Sequence, residues 1–341
     1  MRLQSSRQMN QDDMHSTAEA TAPPPAEPDH TALEAGISQQ RAALSALLAQ
    51  PLARAAAQCG KVWPQRELLN QTLASALHEL PYCMALYAMD TRGRQISDNL
   101  EHRGVISEHY GRDRADRPYL RSAVPASGFL LSEAYLSLRA RRPSITAIQV
   151  IRRDGVVLGF LGADFDLRDL PLTRSLYAEP QHWRQIKGDP AIRSTVFQTC
   201  RVDSEMDRRL DDVLDMLEAL IVNHGVFHGK LHFSSNRATL WLIDDPFRYR
   251  LLDLETLVDP NICLVYPQRD YPADALVPAE QVRPILQGFR QLRFADESIY
   301  LRSGSLNIFN GMVALTFSCD GSHYLPYAEF LDKDMAFWQG R

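Results

Sequence analysis

Two carboxylates, Asp164 and Asp166, end the run GVVLGFLGADFDL (155–167), which otherwise reads as a buried strand. Side chains two apart in a strand project from the same face, so one face of this strand end is acidic. An ionised carboxylate only accepts hydrogen bonds. Buried charges must be paired, so these acids call for a cation, either an arginine of the chain or the ammonium of a bound molecule.

Other groupings are weaker. His224, His228 and His232 recur at intervals of four in NHGVFHGKLHFSS. On a helix that spacing lines up imidazoles for a metal. Gly225, Gly229 and the strand-like KLHF oppose a continuous helix, and a strand spreads them too far for one ion. Cys319 and His323 are split by a turn and have no second pair nearby. Glu218-Ala219-Leu220 spells the signature tripeptide of a cyclic-dinucleotide phosphodiesterase family, but that family's other metal-binding acids are absent. Asp244-Asp245 reads as a strand exit before Pro246. There is no GxSxG, HExxH or P-loop. The expectation is therefore no catalytic residue, no metal and no cofactor. The rival reading is a metal-dependent enzyme with its site around Asp244, His228 and His232. A further alternative is a structural or assembly protein with a vestigial pocket.

Composition narrows the class. The 341 residues carry a net charge of -5, and 45% are hydrophobic. That suits globular units with real cores and argues against nucleic-acid binding, which needs a basic field. Five scattered cysteines without a CxxC argue against a disulfide framework and fit a reducing compartment. No secretory h-region and no apolar stretch of transmembrane length occurs. The expected location is cytoplasmic, with no membrane anchor.

The elements that must position the acids follow from periodicity. Residues 1–30 are polar with a PPPAEP run and are expected to be a disordered tail. From 31 the pattern is helical, with Pro51 expected to kink or break it. A second helix is expected over about 65–79, before Pro81. MALYAMDTRGRQIS reads as strand, turn and strand about Asp90–Gly93. ITAIQVI and VVLGFLGADF, joined through Arg153-Asp154-Gly155, read as a hairpin. Residues 172–202 read as a connector. Over 203–341 an amphipathic helix (203–223), capped by Asp203 or Ser204 and stopped by Gly225, precedes strands in FHGKLHFSS, RATLWLID, ICLVYP, SIYLRS and FNGMVALTFS. A helix over about 279–292 lies among them. The fold class is α+β: a long N-terminal helix with an antiparallel-sheet unit at 31–171, then a second α+β unit of PAS-like element order.

Over residues 31–171 the chain resembles the Cache family of ligand-sensing domains, also called PDC sensors. The resemblance rests on the long helix before the sheet, LYAMDTRGRQIS, DRPYL, SEAYLS and VIRRDGVVLGFLGADFDL. In the branch of that family that binds amino acids, an Arg followed two residues later by an aromatic holds the ligand carboxylate. A Tyr further on and a strand-end Asp hold the ammonium. The resemblance carries these roles to Arg117, Tyr119, Tyr135 and Asp164. Arg112 stands where the branch often has a Tyr, and Leu120 where a second aromatic is common. The chemistry agrees: a guanidinium is a planar fork for a carboxylate, and an aromatic face adds about 0.5–2 kcal/mol of cation–π attraction. Asp166, on the face of Asp164, is expected to line the site or to pair with Arg117 or Arg114. The implied protein senses a small polar metabolite, an amino acid or amine. It would signal through an unidentified partner protein or a homodimer rearrangement, with the helices 31–57 and 203–223 as carriers and dimer surfaces.

Overall fold

The computed structural model describes residues 30–338, apart from 81, 122–126, 139–140, 172–199, 267, 320 and 334. The expected tail, except His30, and most of the expected connector lie outside the described residues.

Helix α1 (His30–Val62) opens the fold and α2 (Arg66–Leu77) follows. Of the kink or break expected at Pro51, no break occurs: α1 runs on through it. Proline removes the hydrogen bond to the carbonyl four residues back. Here that carbonyl belongs to Leu47, an exposed residue, so water can replace the lost donor. Leu44, Leu48, Leu52, Ala55 and Cys59 form the buried stripe of α1, at the three- and four-residue spacing of a helix face.

The first sheet comprises β1 (Cys83–Asp90), β2 (Asn99–Glu101), β3 (Gly104–Ile106), β4 (Phe129–Leu131), β5 (Tyr135–Leu136), β6 (Pro143–Arg153) and β7 (Val156–Asp166). A short helix, α3 (Pro118–Arg121), precedes β4. The order is β3-β2-β1-β7-β6-β4, all antiparallel, with β5 also paired to β6. The β6–β7 hairpin closes as the sequence predicts: Arg153 faces Val156, and Asp154 and Gly155 take φ of 53° and 80°, the left-handed pair that a two-residue turn requires. The Asp90 turn also forms, with its side chain accepting from the amides of Arg92 and Arg94. The strand expected after it is reduced to isolated bridges at Arg94 and Gln95.

One face of this sheet, carrying Leu86, Ala88, Ile145, Ala147, Leu161, Ala163 and Phe165, is buried beneath α1 and α2. The opposite face carries Tyr87, Met89, Ile148 and Phe160, joined by Tyr119 and Leu120 of α3, Leu130 and Tyr135. Alternation along β1, β6 and β7 thus sorts an apolar helix-covered face from a face rich in tyrosine.

The second sheet follows helices α4 (Glu205–Arg208) and α5 (Leu210–Asn223). It comprises β8 (Val226–His232), β9 (Arg237–Leu242) and β10 (Asp245–Asp253), then, after helices α6 (Leu254–Val258) and α7 (Ala279–Arg293), β11 (Leu301–Asn307), β12 (Met312–Phe317) and β13 (Ser322–Pro326). Helix α8 (Tyr327–Asp332) follows. The order is β10-β9-β8-β11-β12-β13, antiparallel throughout. Ser204 caps α4 through a reciprocal pair with Asp207, as the serine predicts.

One reading is corrected: ICLVYP is not a strand. Asp253 and Asp259 accept from the amides of Thr256 and Asn261, and Pro260 starts a tight helical turn, Pro260–Leu264. Asp244 lies in the turn after β9, as its reading as a strand exit expects, and Asp245–Asp253 beyond it forms an edge strand, β10, that the sequence reading did not include. An edge position tolerates Pro246 and the charges beside it. Most apolar residues of helix α5 are buried, and its acids pair within the chain: Asp215 and Glu218 with Arg283, Asp212 and Asp215 with Arg141, and Asp211 with Arg290.

Candidate functional site

The tyrosine-rich face of the first sheet gathers the polar groups. Register places Thr146 of β6 and Ala85 of β1 on either side of Asp164 of β7. Tyr87, two residues beyond Ala85, crosses Gly162. A Cβ added at Gly162 would lie 2.5 Å from the Tyr87 ring, so only glycine admits the ring there. The Tyr87 hydroxyl donates to Asp164 Oδ1 at 3.0 Å, and the Thr146 hydroxyl donates to the same oxygen at 2.7 Å. Tyr135 is bonded to Thr146 at 2.6 Å. The Tyr119 hydroxyl lies 3.2 Å from that of Tyr87, and the Tyr119 and Tyr135 ring centroids are 6.4 Å apart.

A guanidinium closes the inner end of this network, and it is Arg114. Only 6% exposed, it donates to Tyr119 at 3.2 Å, to Gln95 at 2.8 Å and to Asn99 at 3.2 Å, and lies 3.9 Å over the Tyr87 ring. The sequence marks it only as one of four arginines in GRDRADRPYLR and gives no sign of which turns inward. Thr146, Gln95 and Asn99 were not foreseen either. Tyr87 is readable in hindsight from the alternation of CMALYAMD.

Arg117 is half-buried and makes no ion pair or side-chain hydrogen bond among the described residues. It is near enough to Asp164 and Tyr135 to favour their ionised forms. Arg117 and Asp164 are therefore neither clasped together nor turned apart. Burial is the largest influence on Asp164 and pushes its carboxyl above the ordinary 3.8, against the lowering by Arg114, Thr146, Tyr87 and Arg117. Asp164 nevertheless keeps some solvent contact, while Tyr87 and Thr146 beside it have none. A carboxylate in that position is short of positive charge, which a ligand ammonium would supply.

Asp166 is placed differently. It is 2% exposed and takes a two-pronged bond from Arg168 at 2.6–3.0 Å. The expected pairing with Arg117 or Arg114 does not form, because the strand ends here and Arg168 folds back over the carboxylate. Asp166 is near enough to His224, at the end of α5, and to Cys263 of the Pro260 turn to influence both. The groups of the rival enzyme reading are not gathered. Asp244 is held by Arg269, His228 stacks on Trp241, and His232 bonds Thr239 at 3.0 Å. Among the described residues no group of three or more His, Cys, Asp or Glu could hold a metal ion, and no helix is long and apolar enough to cross a membrane.

No family model and no curated protein matches the chain. Among solved structures, it is similar to the ligand-binding domain of the Pseudomonas fluorescens chemoreceptor CtaA in complex with L-serine, at 21% identity and a TM-score of 0.30, covering 40% of this chain and 56% of that one. It is similar to the ligand-binding domain of Campylobacter jejuni chemoreceptor Tlp3 in complex with L-norvaline, at 14% identity and a TM-score of 0.31, covering 41% and 61%. A third is the ligand-binding domain of the Pseudomonas aeruginosa amino acid chemoreceptor PctB in complex with L-Gln, at 20% identity and a TM-score of 0.30, covering 41% and 54%. The chain thus spans little more than half the length of these proteins.

Proposed function

We propose that residues 31–171 are a Cache-like sensor domain that binds a small zwitterion or amine, an amino acid above all, between Arg117 and Asp164. The observation that carries the reading is a pair of opposite charges near each other, Asp164 at the end of β7 and Arg117 just before α3. One, Arg117, has no counter-ion among the described residues; the other, Asp164, has only hydroxyl partners for a carboxylate that burial disfavours. The ligand carboxylate meets the Arg117 fork, its ammonium meets Asp164, and Tyr119 and Tyr135 flank the space between. The similar chemoreceptor domains are seen in complex with L-serine, L-norvaline and L-Gln, the same ligand class.

Ligand closure would reach the second α+β domain, residues 203–341, through the strand that carries Tyr135. Its neighbour Ala134 donates its amide to Asn261 of the Pro260 turn at 3.1 Å, and Arg141, beyond β5, pairs with Asp215 of α5. A ligand shifts that contact only by binding its two arrangements unequally. A partner protein reading the second domain, and a cytoplasmic location, belong to the same proposal; affinity capture and fractionation test them.

The decisive experiment is a thermal-shift and calorimetric screen of the full chain against L-amino acids, amines and carboxylates. A hit is then repeated on Asp164→Ala and Arg117→Ala. Losing the counter-charge of a desolvated ammonium costs about 2–5 kcal/mol, so affinity should fall more than tenfold. An equal shift in wild type and both variants, or no hit, rejects the proposal in favour of a vestigial pocket.

A further inference from the structure

The second sheet has a face that no helix covers among the described residues. Helices α5 and α7 lie on the other side, where Leu217 and Ile221 approach Gly229 and Phe289 approaches Gly304. Helix α8 packs on α7 through Phe330 and Phe289. Alternation along β8 therefore turns His228, Lys230 and His232 to the uncovered face. Register sets Trp241, Thr239 and Arg237 beside them on β9, and Asn307, Ser305 and Ser303 on β11.

Lys230 is the centre of this face. It is half-buried, and its ammonium makes no ion pair or hydrogen bond among the described residues. The other cation of the face, Arg237, is balanced by Asp253 at 3.8 Å. Beside Lys230 stand the hydroxyls of Ser305 and Thr239, both nearly buried. One repeat along the strand, about 6–7 Å away, the His228 and Trp241 rings stack at 4.3 Å and 13°, with Tyr249 5.9 Å beyond. Burial holds His228 and His232 near pKa 4, so both are neutral at pH 7 and leave the charge of this group to Lys230.

We infer that this face is a second binding site, for a small anion that carries a flat ring. The carboxylate or phosphate of the ligand pairs with Lys230 and accepts from the neighbouring hydroxyls, and its ring lies along the Trp241–His228 row. Even half-buried, a lysine without a counter-ion is costly, and an anion that supplies one recovers that cost. The site is on a different sheet from Asp164 and stands whether or not that site binds amino acids.

The test is calorimetric titration of the full chain with benzoate, indole-3-acetate and phenyl phosphate, with neutral indole and inorganic phosphate as controls. At least one ring-bearing anion should bind, and both controls should bind at least tenfold more weakly. Lys230→Met, and separately Lys230→Gln, should lose at least tenfold in affinity with unchanged circular dichroism, because no partner of Lys230 is orphaned. Asp164→Ala should bind the same anion as wild type does. Failure of all three anions to bind at millimolar concentration, or undiminished binding in both Lys230 variants, overturns the inference.

Discussion

Replacing Gly162 with alanine tests the candidate site without touching any of its polar atoms. The new methyl would stand 2.5 Å from Tyr87 Cε2 and 2.7 Å from its Cζ. Carbon atoms are comfortable at about 3.5–4.0 Å, so the ring must retreat by roughly 1 Å. It has little freedom to do so. Tyr87 is wholly buried, lies beneath the Arg114 guanidinium, and is bonded to Asp164. Overpacking of this kind costs about 1–3 kcal/mol, or about 2–4 °C in Tm for each kcal/mol in a unit of 150–250 residues. Retreat of the ring also pulls its hydroxyl from Asp164, so ligand affinity should fall along with stability. The assay is a double-mutant cycle read by Tm and by titration with the ligand found in the screen. In a Tyr87→Ala background the methyl meets no ring, so Gly162→Ala should then be nearly neutral, a clear departure from additivity. Equal cost in both backgrounds would refute the reasoning.

Three further outcomes are expected. Burial raises the Asp164 carboxyl, so the folded protein binds that proton more tightly than the unfolded chain. Stability is then lost as pH rises from about 4, and Asp164→Asn should gain on wild type between pH 4 and 7 in a Tm–pH series. His224 is buried with its pKa pushed down to about 4. Its contribution is complete above 6.5 and lost as pH falls towards 4, at most about 3 kcal/mol. A His224→Gln variant should show a flatter acid limb by chemical denaturation. Arg293, fully buried, grips Asp207 at 2.7–2.8 Å. Arg293→Met leaves that carboxylate stranded, which should cost about 3–5 kcal/mol, visible as a lower urea midpoint.

Much of the scaffold was legible because local chemistry and fold agree. Asp154-Gly155 admits few structures other than a tight hairpin, Ser204 with Asp207 is a helix start, and alternation in 143–166 fixes which residues share a face. The misreadings have physical causes. Pro51 is absorbed because the carbonyl it orphans lies near solvent. Strand β10 was hidden by Pro246 and its arginines, which an edge strand accepts and a central one would not. At the site, the sequence pairs residues by type and spacing but not by depth. Four arginines fall within ten positions, and only the tertiary fold sends Arg114 inward and leaves Arg117 unengaged. Asp166 shows the same limit: strand period gives its face, but not that Arg168 would fold back to take it.

The amide of Ala134 finds its acceptor in Asn261, more than a hundred positions later in the chain, while α1 steadies the same ribbon by donating from Arg41 to the carbonyls of Leu131 and Ser132. The stretch bearing Tyr135 is therefore suspended between the first helix and the far half of the molecule. A fragment cut after residue 171 would keep Tyr87, Arg114, Arg117 and Thr146 around Asp164, yet one of the two moorings of that stretch would be gone. Such a fragment should bind more weakly than the intact chain, for want of an anchor and not of any contact with the ligand.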